Sequence, residues 1–164
     1  MKIFFIRHAE AIDYETPAVR SDEYRYITPE GRKTTKNVAA KLHHEFAGLQ
    51  KIFTSPLIRA VQTAEIFAAE LDFDGEVEIA DELKNESATS TLQQMIKDTS
   101  EFHNSIAFVG HEPKFSQLVK VFAELTTLNF EFKKSGVCLI DFDMMTGEGK
   151  LEWYFDPEKM GFIK

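Results

Sequence analysis

Two short apolar runs, each leading to a histidine, constrain the fold of this chain more than any other feature. The run Ile3–Ile6 leads into Arg7 and His8, and the run Ile106–Val109 is followed, after one glycine, by His111. Continuous apolar runs with β-branched and aromatic members are typical of strands that are buried on both faces, as in parallel sheets covered by helices. Ligands bind at the carboxyl ends of strands in open α/β sheets. Both histidines are therefore predicted to lie at the edge where such folds place an active site.

Strand-like and helix-like segments alternate along most of the chain, which favours an α/β sheet. Thr28 to Gly31 has the character of a helix start, and Gly48 is predicted to end that helix. A second helix is predicted to open at Ser55-Pro56, with a buried face made of Leu57, Val61, Ala64, Ala68 and Leu71. Residues 137–142 and 151–155 are strand-like and joined by a glycine-rich turn, which predicts an antiparallel hairpin. We therefore predict a three-layer α/β/α fold with a mostly parallel central sheet and an antiparallel edge, in a single domain over residues 1–164.

The composition excludes several classes of function. The chain has 164 residues and a formal net charge of −8, which argues against a protein that binds nucleic acid through a basic face. Cys138 is the only cysteine, so no internal disulfide is possible and the chain suits a reducing compartment. No apolar stretch approaches the length of a membrane span, and the N-terminal run is too short for an export signal. We expect a cytoplasmic protein with no nucleic-acid partner and no membrane partner.

Three motifs in this order resemble the histidine phosphatase superfamily. They are the opening Arg7-His8-Ala9-Glu10-Ala11, the stretch from Ser55-Pro56 through Arg59 to Thr63-Ala64, and Gly110-His111-Glu112-Pro113. The small size of the chain and the stretch from Arg25 to Gly31 are most similar to the short bacterial branch, whose members are phosphohistidine phosphatases acting on phosphorelay proteins. The resemblance covers essentially the whole chain and implies a fold like that of phosphoglycerate mutase. It also implies a role in signal transduction.

The resemblance implies that His8 is the nucleophile and that the enzyme forms a covalent phosphohistidine intermediate. The residue types suit this chemistry, because an imidazole with an ordinary pKa of about 6.5 is a neutral nucleophile at working pH. Arg7 and Arg59 are predicted to hold the phosphoryl oxygens, since a guanidinium keeps its charge and presents paired donors. His111 is predicted to complete the pocket as a further donor. We expect no metal ion and no other cofactor.

Two further residues are candidates for the site. Arg25 matches an arginine of the short branch and is predicted to contact the substrate. Members of the wider family that hydrolyse phosphate esters place a glutamate after the third strand, and Glu82 stands at the corresponding place. Ala80 departs from the leucine that is common there, and a poorly defined acid site favours phosphohistidine, whose imidazole leaving group departs as a stable neutral ring.

Other functions stay open at this point. The leading hypothesis is a metal-independent phosphatase for phosphohistidine on a partner protein, because the chain has no room for the long insertions that cover the site in larger relatives. The alternatives are a phosphatase for small phosphomonoesters with Glu82 as the acid, and a phosphate- or phosphoprotein-binding module without turnover. A metal site is a less favoured alternative, since the histidines are not accompanied by the carboxylates and cysteines of common metal-ligand sets. The expected partner is a phosphorylated protein or a small phosphate ester, and the expected assembly is a monomer.

Overall fold

The computed structural model of the protein describes residues 1–13 and 19–164. In these residues seven strands form one sheet, in the spatial order third, second, fourth, first, fifth, sixth and seventh. The strands are β1 (Lys2–Arg7), β2 (Lys51–Thr54), β3 (Glu76–Ile79), β4 (Ser105–Gly110), β5 (Val137–Phe142), β6 (Gly149–Asp156) and β7 (Gly161–Ile163). The helices are α1 (Pro29–Leu42), α2 (Ile58–Glu70), α3 (Thr89–Ser100) and α4 (Lys114–Phe122), with short 3₁₀ helices at Asp22–Tyr24 and Asp81–Leu83.

The sheet is parallel from β3 to β1, and β5, β6 and β7 continue it in antiparallel pairing. Alternate residues of β1 face opposite layers. Phe4 and Ile6 pack with α1 and α2, whereas Ile3 and Phe5 pack with α3 and α4. The continuous apolar runs in the sequence follow from this burial on both faces. The predicted three-layer α/β/α architecture with an antiparallel edge is confirmed.

Helix α1 begins as predicted and ends earlier than predicted. The Gly31 N–H donates to the side-chain oxygen of Thr28, and Pro29 occupies the first turn, where its missing N–H costs nothing. The helix ends at Leu42 rather than near Gly48. Beyond it the chain continues in turns that are closed by hydrogen bonds between residues three apart, and Phe46 stacks on Phe4 in the core with 4.1 Å between ring centroids. Gly48, with φ of 80°, closes that segment.

The predicted buried face of α2 is displaced in the structure. The residues that are buried are Arg59, Ala60, Thr63, Ala64, Ile66 and Phe67. The small side chains of Ala60 and Ala64 allow the helix to lie close to the sheet, where the core includes Val109 of β4. Of the predicted stripe, Ala64 is buried, and Ala68 and Leu71 are half-buried and pack against the same core. The prediction was wrong in leaving Arg59 off the buried face, because the first turn of α2 places this side chain inward.

Candidate active site

Strand pairing brings the two predicted histidines together. β1 and β4 are parallel neighbours, with Arg7 opposite Gly110. The His8 N–H donates to the Gly110 carbonyl at 2.9 Å, and His111 follows directly. The ring centroids of His8 and His111 are 5.0 Å apart. The two motifs therefore form one site at the carboxyl edge of the sheet, as ligand sites in this type of sheet do.

A hydrogen bond to the backbone determines which nitrogen of His8 is available. His8 Nδ1 lies 2.7 Å from the Ala9 carbonyl oxygen. A carbonyl oxygen only accepts, so Nδ1 carries the proton and donates it, and Nε2 keeps a lone pair. The His8 ring thus presents Nε2 as a nucleophilic atom.

Thr63 fixes the peptide that holds the His8 ring. The Ala9 N–H donates to Thr63 Oγ1 at 2.9 Å, and the same hydroxyl donates to the Arg59 carbonyl at 2.6 Å. Thr63 is fully buried. One hydroxyl therefore links the turn after β1 to the first turn of α2. Its position within the Arg59 motif was visible in the sequence, but its contact with the first motif was not.

Burial keeps both imidazoles neutral. Only 7% of the surface of His8 and 2% of that of His111 is exposed. Burial, and then the charges of His111, Arg59 and Arg7, lower the pKa of His8 to about 2, against the opposing effect of the Ala9 hydrogen bond. Burial and Arg59 lower the pKa of His111 to about 3, with Asp22 acting in the opposite direction. Both rings are consequently uncharged near neutral pH.

The two arginines are anchored by part of their guanidinium groups. Arg7 Nη1 donates to the Phe132 carbonyl at 2.6 Å. Arg59 is 5% exposed, and its two terminal nitrogens donate to the backbone carbonyl and to a carboxylate oxygen of Asp22, each at 2.8 Å. In each arginine the Nε atom is buried and has no hydrogen-bond partner within the described residues. The anchoring contacts therefore leave the Nε–H and further terminal N–H groups of each guanidinium for another acceptor.

His111 contributes a third buried nitrogen of this kind. Its Nε2 lies 2.8 Å from the Ser55 hydroxyl, at the end of β2, and its Nδ1 has no partner among residues 1–13 and 19–164. When the hydroxyl donates to Nε2, the proton of the neutral ring is on Nδ1. Buried donors without a partner cost about 1–3 kcal/mol each. Three of them beside a nucleophilic nitrogen form an arrangement suited to a tetrahedral oxyanion.

Asp22 joins the predicted residues Arg25 and Arg59, and the sequence analysis missed it. One carboxylate oxygen accepts from Arg59 at 2.8 Å, and the other accepts from Arg25 Nη1 at 3.0 Å. Arg25 Nε also donates to the Ile12 carbonyl at 2.6 Å. Arg25 is therefore connected to the site through Asp22. The three-residue spacing of Asp22 and Arg25 was the available signal.

Glu82 lies at the border of the site, on the side of β4. The 3₁₀ turn that carries it packs on β4, and Leu83 lies beside Gly110. Lys114, which is 3% exposed, donates through Nζ to the Glu82 carbonyl at 2.8 Å and to the Lys84 carbonyl. Burial lowers the pKa of Lys114. This lysine was not predicted, and it holds the Glu82 turn against the start of α4.

In the described part of the chain, no three His, Cys, Asp or Glu side chains are grouped as a metal site requires. None of the helices there combines the length and the apolar character of a membrane span.

Comparison with known proteins identifies relatives across the whole chain. The family model for the histidine phosphatase superfamily (branch 1) matches residues 3–128. An uncharacterized protein of Picosynechococcus is 27% identical over 160 residues, which are 96% of this chain and 93% of that protein. The structure of the protein histidine phosphatase SixA complexed with tungstate superposes with a TM-score of 0.87 at 23% identity, over 98% of this chain and 100% of that chain. A phosphoserine phosphatase variant of Entamoeba histolytica, in complex with phosphoserine, gives a TM-score of 0.72 at 17% identity, over 98% and 99% of the two chains.

Proposed function

This chain belongs to the histidine phosphatase superfamily, and on that premise we propose that it removes the phosphoryl group from a phosphorylated histidine of a partner protein, through a covalent intermediate on His8. One observation carries the proposal. Buried nitrogens of Arg7, Arg59 and His111 have no partner in the described residues, and all three residues act electrostatically on His8, whose Nε2 has a lone pair. A phosphoryl group supplies both the electrophile and the oxygens that these nitrogens require.

In the first step His8 Nε2 attacks phosphorus. A bond forms between Nε2 and phosphorus as the bond from phosphorus to the substrate nitrogen breaks. The hydrogen bond from Nδ1 to the Ala9 carbonyl supports the positive charge that develops on the His8 ring. The substrate ring, protonated on its other nitrogen, leaves as neutral imidazole, so this step requires no acid from the protein.

Arg7 and Arg59 stabilise the charge on the transferring group. Phosphoryl transfer spreads negative charge over three equatorial oxygens, and fixed donors are effective because they need no reorganisation. Asp22 and Phe132 anchor the terminal nitrogens of the two guanidinium groups. The Nε–H groups are thereby held in place for the oxygens. Water then attacks the phosphorylated His8, releasing inorganic phosphate and restoring neutral His8.

The contacts of Glu82 favour phosphohistidine over phosphate esters as the substrate. An alkoxide leaving group needs a proton, and no hydrogen bond in the described residues links the Glu82 carboxylate to the site. The TM-score of 0.87 with the protein histidine phosphatase SixA adds support at the level of the fold. A phosphatase for small phosphomonoesters is the second candidate, because the fold of a phosphoserine phosphatase also matches over nearly the whole chain.

The test compares a phosphohistidine protein with a panel of phosphate monoesters, in the presence of EDTA, for the wild type, His8→Ala and His103→Ala. His103 is a matched control, since its Nδ1 bonds to the Thr99 carbonyl at the end of α3, away from the site. We expect phosphohistidine hydrolysis that EDTA does not affect, that His8→Ala abolishes and that His103→Ala retains. Radiolabelled phosphate should be trapped on wild-type protein as an acid-labile adduct.

Three other results would redirect the assignment. Ester turnover without phosphohistidine hydrolysis would select the small-molecule phosphatase. Phosphate binding without turnover or adduct would select a binding module. Loss of activity in EDTA, restored by a divalent ion, would require a metal that the proposal does not include.

A further inference from the structure

Backbone hydrogen bonds hold Lys134 close to the nucleophile. The Ser135 N–H lies 3.1 Å from the Arg7 carbonyl and 3.2 Å from the His8 carbonyl, and the Arg7 N–H donates to the Gly136 carbonyl at 3.0 Å. The segment that precedes β5 is thus bonded to the end of β1 on both sides of Ser135. Lys134 occupies a fixed position at the edge of the site rather than a position in a free loop.

Lys134 differs from its neighbour Lys133 in its contacts. Lys133 Nζ is 2.6 Å from a carboxylate oxygen of Glu131 and 4.0 Å from one of Glu158. Lys134 is half-buried, yet the described residues give its ammonium group no hydrogen bond and no ion pair. The Lys134 ammonium is not among the buried unpaired atoms, so an anion from solution can reach it and pair with it.

The charges around Lys134 also favour an anion beside its ammonium group. Burial, followed by Arg7 and Arg25, lowers the pKa of Lys134, and Glu10 and Asp13 act in the opposite direction. Glu10 already accepts a hydrogen bond from the Thr28 hydroxyl at 3.0 Å.

A cavity adjoins Lys134 and Arg7. It has a volume of about 470 Å³ and is also lined by Glu10, Glu131, Lys133 and Glu158. Glu131 and Glu158 pair with Lys133, and Glu10 bonds to the Thr28 hydroxyl, so Arg7 and Lys134 are the cations of this cavity without a carboxylate partner among the described residues. β1 lies between β4 and β5 in the sheet, so Lys134 and His111 are on opposite sides of His8. In the proposed function, Arg59 and His111 contact the phosphoryl group on the β4 side. The cavity on the β5 side is consequently placed to receive the part of the substrate that lies beyond the phosphoryl group.

Resting on the function proposed above, we propose that Lys134 and Arg7 form a subsite for a carboxylate of the substrate, next to the phosphoryl group. The lysine ammonium is a compact charge with three donors, which suits a carboxylate oxygen. The carboxylate belongs either to a small phosphate ester or to an acidic side chain beside the phosphorylated residue of a protein. Its binding supplies the counter-charge that Lys134 lacks.

The test is calorimetric binding in the His8→Ala background, which allows no covalent step and is independent of turnover. The first probe pair is phosphoserine and phosphoethanolamine, which differ by one carboxylate. The second pair is two phosphohistidine peptides with Asp or Asn beside the phosphorylated residue. Inorganic phosphate is measured alongside. Lys134→Met is compared with Lys41→Met, which removes the same charge from an exposed lysine in the last turn of α1, outside the cavity.

We expect Lys134→Met to weaken binding of the carboxylate-bearing member of at least one pair about 10-fold or more, as for a lost hydrogen bond to a charged group. Binding of inorganic phosphate and of the matched partner compound should change less than about 3-fold. Lys41→Met should change the binding of every probe by less than about 3-fold. A selective loss with phosphoserine identifies a small ester as the source of the carboxylate, and a selective loss with the Asp peptide identifies a protein.

Two results would overturn the carboxylate subsite. Equal weakening of all probes by Lys134→Met would assign this lysine to the phosphoryl group itself. Unchanged binding of every probe would show that Lys134 contacts no ligand. Neither result bears on the proposed catalysis by His8, which is measured by turnover and by the trapped adduct.

Discussion

Acidification should destabilise this protein through the two buried histidines, His8 and His111. The pKa values of His8 and His111 in the folded protein, about 2 and about 3, lie far below the value of about 6.5 expected in the unfolded chain. Between these values the unfolded chain binds protons that the folded protein does not. The contribution of the pair is therefore largest above about pH 6.5 and decreases as the pH falls toward the folded pKa values.

The magnitude follows from the unfolded pKa, because both folded values lie well below the pH range of the test. Each histidine should cost about 1.4 kcal/mol of unfolding free energy per pH unit below about 6.5. At about pH 5 this amounts to about 2 kcal/mol for each ring and about 4 kcal/mol for the pair. Domains of this kind are stable by about 5–15 kcal/mol, so the effect is a large fraction of the total.

The assay is urea unfolding near pH 7.5 and near pH 5, for the wild type and for His8→Gln with His111→Gln. Glutamine does not titrate, and the carboxylates and the other histidines are the same in both proteins. The wild type should lose about 4 kcal/mol more than the double variant, and each single variant should show about half of that difference. An NMR titration of the native protein provides a second measurement, in which neither active-site ring should titrate over this range.

Equal losses of stability in the wild type and the double variant would refute this reasoning. They would show that the two rings protonate in the folded state as readily as in the unfolded chain. Titration of either ring near pH 6.5 in the native protein would lead to the same conclusion.

Three further predictions concern single side chains. Thr63→Val leaves the buried Ala9 N–H without an acceptor, which should cost about 2 kcal/mol and lower Tm by roughly 4–8 °C in a thermal melt, whereas Thr63→Ser should retain most of the stability. Arg59→Lys keeps the positive charge but loses Nε and the paired contact with Asp22, so kcat/KM for phosphohistidine should fall about 100-fold or more. A fall of less than about 3-fold would contradict a role of Arg59 in stabilising the phosphoryl group. Glu82→Gln separates the substrate classes in parallel kinetic assays. If Glu82 is the general acid, turnover of phosphate esters should fall about 100-fold, while turnover of phosphohistidine changes far less. Equal losses for both substrates would contradict the proposal that imidazole leaves without an acid from the protein.

The local features of the fold could be predicted because each depends on neighbouring residues. The runs before His8 and His111 indicated buried strands, and β1 and β4 confirm this prediction. The start of α1 was also readable, since Thr28 and Pro29 act within one turn. The predictions for the end of α1 and for part of the buried face of α2 were wrong, because contacts with distant residues decide both. Phe46 stacks on Phe4, and Arg59 turns inward to Asp22.

The features of the site also divide into those that depend on neighbouring residues and those that depend on distant segments. Residue type and apolar pattern are local, so they indicate which residues stand at the ends of strands and which chemistry these residues carry. The folded chain is needed to see that β1 and β4 are neighbours, that burial keeps His8 neutral with Nε2 free, and that Asp22 joins Arg59 to Arg25. Strand order, solvent exclusion and ion pairing join segments that are far apart in the chain, and local periodicity carries no information about which of those segments meet.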